Sequence, residues 1–236
     1  MTAWREIREN IENMDATYVL AISGGVDSMV LLDFFTRSKA DFVVAHFNHN
    51  LQPINADMEK HVVEYCAEHN IEHYVGKGVS IQLNSKLNHT SIEAEARKQR
   101  YSFLNAVCTA ISRASDPNVL LRRVSAQPMI VTAHHEDDQV ETVLINLFRG
   151  VGLQSLYMKE FSGGCYRPFL QVPKSELVET ATKRGITWVE DPTNAQNDAE
   201  RNWLRNQIIP QIMERRNISK TIPLSIDKFS KFMSEF

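Results

Sequence analysis

The order of apolar and polar segments in this chain implies an α/β architecture built on a parallel sheet, because short runs of strand length alternate with helical stretches along it. Such alternation calls for right-handed crossovers and for helices on both faces of the sheet. Each apolar run also ends in a polar cluster. Ligands collect beyond the carboxyl ends of strands in open sheets of this kind. Three clusters fall at that edge: Ser23 to Ser28, His46 to His49 and His134 to Glu141.

The elements follow in order. Tyr18-Val19-Leu20-Ala21 reads as the first strand, and a helix runs from about Val26 to Arg37. Phe42-Val43-Val44-Ala45 has the length and β-branched content of a buried second strand. Residues 54 to 69 look helical, Ile71 to Val75 resembles a third strand, and Ser91 precedes a long helical stretch with Glu93 in its first turn. Gly76 to Thr90 is polar and is expected to form a mobile loop near the site, while residues 113 to 127 look like an insertion. Pro128 to Ala133 is the next strand, followed by a helix with Val140, Val143, Leu144 and Leu147 at helical spacing. Beyond Gly150 the pattern is less regular until Pro173 to Arg184, a helix opened by proline and closed by Gly185. Asp191-Pro192-Thr193-Asn194 is a turn ahead of a basic helix of about Ala199 to Glu214.

The 236 residues suit one α/β domain at 1–190 with a short basic helical extension at 191–236. At 43% hydrophobic and 23% charged residues the chain fits a globular protein, which argues against disorder. No apolar run approaches the roughly 20 residues a bilayer requires, so no membrane partner is expected. The first turns carry Arg5, Glu6, Arg8, Glu9 and Glu12 instead of a secretory apolar segment, and a cytoplasmic location is expected. Cys66, Cys108 and Cys165 are widely spaced and form no CxxC, so buried free thiols are expected. A net charge of −3 counts against a polyanionic partner. Residues 200 to 220 are the local exception, with Arg201, Arg205, Arg215, Arg216 and Lys220 against Glu200 and Glu214. That run fits a solvated helix face or a phosphate-binding one.

Residues 23 to 28 read Ser-Gly-Gly-Val-Asp-Ser, a glycine turn between a strand and a helix. Ser23, Gly24, Gly25, Val26, Asp27 and Ser28 therefore suggest a pyrophosphate cradle. Gly24 and Gly25 can take backbone angles closed to other residues, so successive N–H groups can converge, and the helix N-terminus adds positive potential. Asp27 supplies a carboxylate for Mg2+ beside the phosphates. Neither GxxxxGK(S/T) nor GxGxxG is present, so both common nucleotide folds lose weight. SGGVDS resembles the signature of the ATP-pyrophosphatase, or PP-loop, superfamily, which activates a carbonyl oxygen by adenylation and releases pyrophosphate.

Asp138 and Glu141 lie three residues apart, which puts two carboxylates on one helix face to hold a cation or orient an amine. First-turn stabilisation by the helix dipole accounts for them equally well. His134 and His135 are adjacent and tend to diverge, so hydrogen-bonding roles suit them better than metal ligation. In Ser91 to Tyr101, Arg97 shares a face with Glu93 or Tyr101; an exposed helix with i,i+4 pairs and a guanidinium gripping an oxyanion look alike in sequence.

Taken together, these segments resemble the tRNA(Ile)-lysidine synthetase family. The resemblance spans residues 18 to about 210 through SGGVDS, HFNH at 46–49, EAEARKQRY at 93–101, TAHHEDDQVETVLINLFRGVG at 132–152, RPFL at 167–170 and EDPTNAQNDAERNWLRNQIIP at 190–210. It implies a Rossmann-like PP-loop domain that uses ATP and Mg2+. In that chemistry ATP adenylates the C2 oxygen of the wobble cytidine in tRNA(Ile) with a CAU anticodon. The ε-amine of free L-lysine then displaces AMP. On this resemblance Asp138 and Glu141 bind the lysine ammonium and accept its proton. Arg97, Arg201 and Arg205 face the α-phosphate, the lysine carboxylate or the tRNA backbone; His134 orients a neighbouring acid or phosphate, and His46 joins the nucleotide site. Many family members carry further C-terminal tRNA-binding domains, so a chain ending at Phe236 is expected to use the 200–220 helix and the insertion, or a partner. A homodimer is left open. The rival readings are a tRNA thiolation enzyme, a small-molecule amidating PP-loop enzyme, or a catalytically silent tRNA-binding module. The absence of CxxC counts against the first, and the acids and arginines together count against the last.

Overall fold

The computed structural model describes residues 2–113, 128–152, 155–197 and 199–234. Five strands are parallel: β1 (Thr17–Ala21), β2 (Asp41–Asn48), β3 (His73–Lys77), β4 (Met129–Val131) and β6 (Cys165–Tyr166); β5 (Phe161–Ser162) runs antiparallel to β6. Their order is β3-β2-β1-β4-β6-β5, so the chain winds outward from β1 in one direction and then returns to β1's other side with β4. The β5–β6 pair is a hairpin over Gly163 and Gly164, both at positive φ (58° and 71°), the geometry a two-residue hairpin turn needs.

Strand alternation sorts the core into two layers. Tyr18 and Leu20 of β1 point to one face, where they pack with Ile7 and Ile11 of α1 (Thr2–Asn13), with α2 (Val26–Thr36), with Val62 and Cys66 of α3 (Ile54–Glu68) and with Leu177 and Ala181 of α7 (Lys174–Arg184). Val19 points the other way, with Val43, Ala45 and Ile130, onto Leu104 and Val107 of α5 (Ile92–Arg113). Helix α2 is buried from Ser28 to Phe35, and its one interior acid, Asp33, is held by Arg37 at 2.9 Å and by Arg184 of α7 at 2.7 Å. The Arg184 contact ties α7 to α2 and so helps to set what α7 presents to the sheet edge.

Gly76 to Thr90 is not the loop expected from its polarity. β3 runs on through Lys77, and α4 (Ile81–Leu87) follows, seating Ile81 and Ser85 inward. Its entry residue, Ser80, sits in the left-handed region (φ 49°) where a glycine would have signalled the turn. α6 spans Glu136–Phe148, and α10 (Ile218–Ser234) packs on it. The basic segment is one helical run in three pieces, α8 (Glu200–Trp203), a wide π-helical turn at Leu204–Ile208 and α9 (Ile209–Met213). Pro210 follows the wide turn and offers no N–H, so regular i to i−4 bonding cannot continue through it. The expected insertion lies outside the described residues, apart from Arg113 at the end of α5. Among the described residues no helix is long and apolar enough to cross a membrane.

Candidate active site

Beyond the carboxyl ends of β1 and β2, and reaching the start of α6, a cavity of about 720 Å3 opens. Its size suits a nucleotide-scale ligand. The β1–α2 loop, the end of β2, one side of α5, the start of α6, the start of α7 and residues 188–195 contribute its wall. Of the residues singled out from sequence, Ser23, Gly25, Val26, Asp27, His46, Asp138 and Arg205 stand on that wall.

The loop is braced from within. The Ser28 hydroxyl accepts the N–H groups of Ser23 (3.2 Å) and Gly24 (3.0 Å) and donates to Gly25 O at 2.8 Å. Ser28 is thus a strut, and the Ser23 and Gly24 amides are turned to it instead of to a ligand. The amides open to an anion are those of the first turn of α2, from Val26 to Ser28, since the first backbone bond there is Met29 N–H to Gly25 O at 3.0 Å. Only Gly24 needs glycine's freedom: its φ is +97°, and an added Cβ would stand 3.2 Å from Met58 O. Gly25 has an ordinary extended backbone (φ −79°), so its lack of a side chain serves the cavity rather than the turn. Val189 N–H donates to Gly24 O at 3.0 Å and docks the 188–195 segment beside the loop, where Asp191 caps a short turn by accepting from Thr193 N–H at 2.9 Å.

Asp27 meets two groups across the cavity. Its Oδ2 lies 3.6 Å from His135 Nε2 and 3.7 Å from Lys174 Nζ, while Oδ1 is buried without a hydrogen-bond partner among the described residues. His135 precedes α6, and its N–H donates to Asp138 Oδ2 at 3.1 Å; its ring Nε2 is 3.4 Å from the same oxygen. Burial works against a charged His135, but Asp27, Asp138 and Asp137 around it outweigh that and raise its pKa. Asp138 is affected oppositely: burial opposes its charge, yet the charges of His135 and Arg201 hold its pKa below the ordinary carboxylate value. One carboxylate with an unsatisfied oxygen fits Mg2+ arriving with phosphates, since that ion keeps several waters and takes few protein ligands. Among the described residues no group of three His, Cys, Asp or Glu forms a metal cage of its own.

The structure separates the remaining sequence candidates. Glu141 is 1% exposed and faces Arg201 (2.8 Å) and Arg205 (2.6 Å), so both of its oxygens are engaged. Those two arginines, expected on a substrate-facing surface, spend their charge inward; Arg215, Arg216 and Lys220 remain exposed. Neither Glu141 nor Arg201 is on the cavity wall. His134 is not on it either: Thr132 Oγ1 lies 2.7 Å from its Nδ1, and burial with the nearby charges of Arg167, Arg201 and Arg100 pushes its pKa down to about 3, so it is neutral. Arg97 is exposed and stacks over the Tyr101 ring at 4.8 Å, while Arg100, one turn on, reaches the cavity with a buried Nε that has no hydrogen-bond partner among the described residues. His46 Nδ1–H donates to Ile22 O at 2.9 Å, which leaves Nε2 buried without a hydrogen-bond partner among the described residues; burial lowers its pKa and keeps it neutral.

The sequence matches the PP-loop domain family over residues 2–212. The chain belongs to that family. PP-loop membership covers every residue on the cavity wall. Among curated relatives, tRNA(Ile)-lysidine synthase of Enterococcus faecalis is 32% identical over 93% of this chain, and that of Chlorobaculum tepidum is 34% identical over 95%. The chain spans only 44% and 64% of those two proteins. A U34-tRNA thiolase from Methanococcus maripaludis, solved with its 4Fe-4S cluster, superposes over 93% of this chain and 75% of its own with a TM-score of 0.60 at 16% identity, which shows the shared fold. The PP-loop fold brings to the cavity two residues that sequence reasoning passed over, Arg100 and Lys174, and one, His135, that it gave only a hydrogen-bonding role. His135 had a signal, because it stands three residues before Asp138 at a helix start. Lys174 had none.

Proposed function

We propose that this chain acts as a tRNA(Ile)-lysidine synthetase. ATP first adenylates C2–O of the CAU-anticodon wobble cytidine in tRNA(Ile), with loss of pyrophosphate, and the ε-amine of L-lysine then attacks C2 and displaces AMP. The observation that carries the reading is that proteins of this name align with 93–95% of the chain at 32–34% identity. The geometry supports it. The first-turn amides of α2 and Asp27 face one end of the cavity, and Asp138 stands on the same wall as Asp27, so a phosphate group and an amine can be held side by side.

In this reading the triphosphate lies against the β1–α2 loop, with Asp27 Oδ1 as the protein ligand to Mg2+. The ion, when bound, neutralises charge on the departing pyrophosphate. Asp138 takes the lysine ammonium, a role suited to a carboxylate held ionised by its neighbours, and is the group assigned to accept its proton. Glu141 reaches lysine only by releasing its arginines, so we assign it the task of placing Arg205 beside Asp138, 3.4 Å away. Arg100 offers the anion-facing guanidinium first sought in Arg97. The single-stranded anticodon loop lets the cytidine leave its stack cheaply. The 191–236 extension, with Arg215, Arg216 and Lys220 outward, is the part of this chain proposed to meet the tRNA backbone.

The test is incubation with ATP, labelled lysine and tRNA transcripts, following label in RNA and AMP together. AMP formation is expected to require RNA, and Asp27→Ala is expected to lower it about 10²–10³-fold or more with the fold intact. AMP released at full rate without RNA would overturn the reading in favour of a small-molecule amidating enzyme.

A further inference from the structure

Arg100 brings a positive charge to the cavity wall that no acid balances. Burial and the charge of Arg97 lower its pKa, and among the described residues no carboxylate acts against them. What the guanidinium does meet is an aromatic ring, with its Cζ 5.4 Å from the Tyr101 centroid. We infer that Tyr101 is a positioning residue, whose ring holds the Arg100 guanidinium at the cavity wall for an oxyanion carried by a substrate, either a phosphate or a carboxylate. This deepens the proposed reading and rests on it.

Consecutive helix positions point about 100° apart, so α5 by itself does not bring Arg100 onto its neighbour. The ring is fixed from below instead. Tyr101 packs against the core layer of Val19, Val43, Ala45, Leu104 and Ile130, which leaves it little freedom to swing. A cation within about 6 Å of such a ring is attracted by its quadrupole, and more strongly where water is excluded.

Arg97 stands over the same ring at 4.8 Å, and the two guanidinium groups repel. Arg97 is exposed and keeps its water, whereas Arg100 Nε is buried with no hydrogen-bond partner among the described residues. A charge so placed is costly until an anion reaches it. His46 and His49 share this stretch of wall and do not supply the charge: burial lowers the pKa of both, and His49 is pushed down to about 4 by burial and by Arg100. The cation an anion meets there is Arg100.

The experiment uses the full chain with Tyr101→Phe, Tyr101→Leu, Arg100→Met and the Arg100→Met/Tyr101→Leu double variant. Calorimetry reads the affinity for ATP with Mg2+, for L-lysine and for lysinamide, which lacks the carboxylate, while AMP formation with ATP, lysine and tRNA gives kcat and KM. Tyr101→Leu is expected to weaken one ligand about 3–30-fold and to raise its KM in step, with kcat near wild type. A loss confined to ATP places the anion on a phosphate, and a loss for lysine but not lysinamide places it on the carboxylate; either supports the inference. Tyr101→Phe keeps the ring and is expected to keep the binding. The double variant is expected to bind no more weakly than Arg100→Met alone, since the ring acts only through the guanidinium. Tyr101→Met serves where the leucine variant folds poorly. Wild-type affinity for both ATP and lysine in Tyr101→Leu or Tyr101→Met, or losses that add in the double variant, overturn the inference and leave the ligase reading standing. Non-additive losses in a protein that makes no AMP with RNA and lysine keep the role of Tyr101 and sink the ligase reading.

Discussion

Arg205 grips Glu141 with two hydrogen bonds in a fork, Nε to Oε1 at 2.6 Å and Nη2 to Oε2 at 2.9 Å, and Arg201 adds a third to Oε2 at 2.8 Å. Planar guanidinium groups match a carboxylate in this way, and the acid they hold is buried. The fork joins the wide turn at Leu204–Ile208 to α6 and so sets one wall of the cavity.

Replacing Glu141 by Gln turns an amide toward two guanidinium groups and leaves donors facing donors. The variant is expected to lose about 3 kcal/mol of stability in urea denaturation, as a broken buried ion pair does. A Glu141→Gln protein with wild-type stability and a raised lysine KM would show that Glu141 serves lysine rather than Arg205.

His135 predicts a pH dependence. Its pKa is raised in the fold, against burial, by Asp27, Asp138 and Asp137, while Lys174 and Arg205 face the same acids. A group whose folded pKa lies above its unfolded value of about 6.5 stabilises fully below that value and loses its contribution as pH rises through the folded one. The melting temperature of wild type relative to His135→Gln is therefore expected to be highest below about pH 6.5 and to shrink as pH rises above it. A flat difference across that range would show that the three acids do not act on the ring.

The two glycines of the loop are expected to differ. Gly24→Ala forces a side chain into φ +97° against Met58 O, at a cost of about 1–3 kcal/mol. Gly25→Ala meets nothing closer than Ser23 Oγ at 3.7 Å, so stability changes by less than about 0.5 kcal/mol while the methyl intrudes on the wall and raises ATP KM. Ser28→Ala removes the strut from two amides and is expected to cost about 1–2 kcal/mol. Thermal melts with ATP titrations separate the three; equal stability of the two alanine variants would contradict the assigned division of labour.

Much of this site was legible before the fold. Residues 23–28 follow an apolar strand and precede an apolar helix, and local sequence alone demands a turn with glycine and an acid in the first helical turn. Asp138 was visible for the same reason. Arg100 was not: Arg97 and Arg100 lie one turn apart on α5, and only the packing of Leu104 and Val107 on the sheet turns Arg100 to the cavity and Arg97 to solvent. The α4 helix was hidden because its entry turns on a left-handed Ser80, a conformation that serine does not advertise.

The sequence by itself determined the alternation of strands and helices, the SGGVDS bend at the end of β1 and the acids opening α6, because hydrophobic period and turn chemistry are local properties. Tertiary structure alone decided which charges meet: that Glu141 is held by Arg201 and Arg205, and that Lys174, 147 positions after Asp27 in the chain, faces it across 3.7 Å. Partners that far apart in sequence are chosen by how α7 and the 200–208 segment dock on the sheet, and docking depends on buried surfaces that no short stretch of residues encodes.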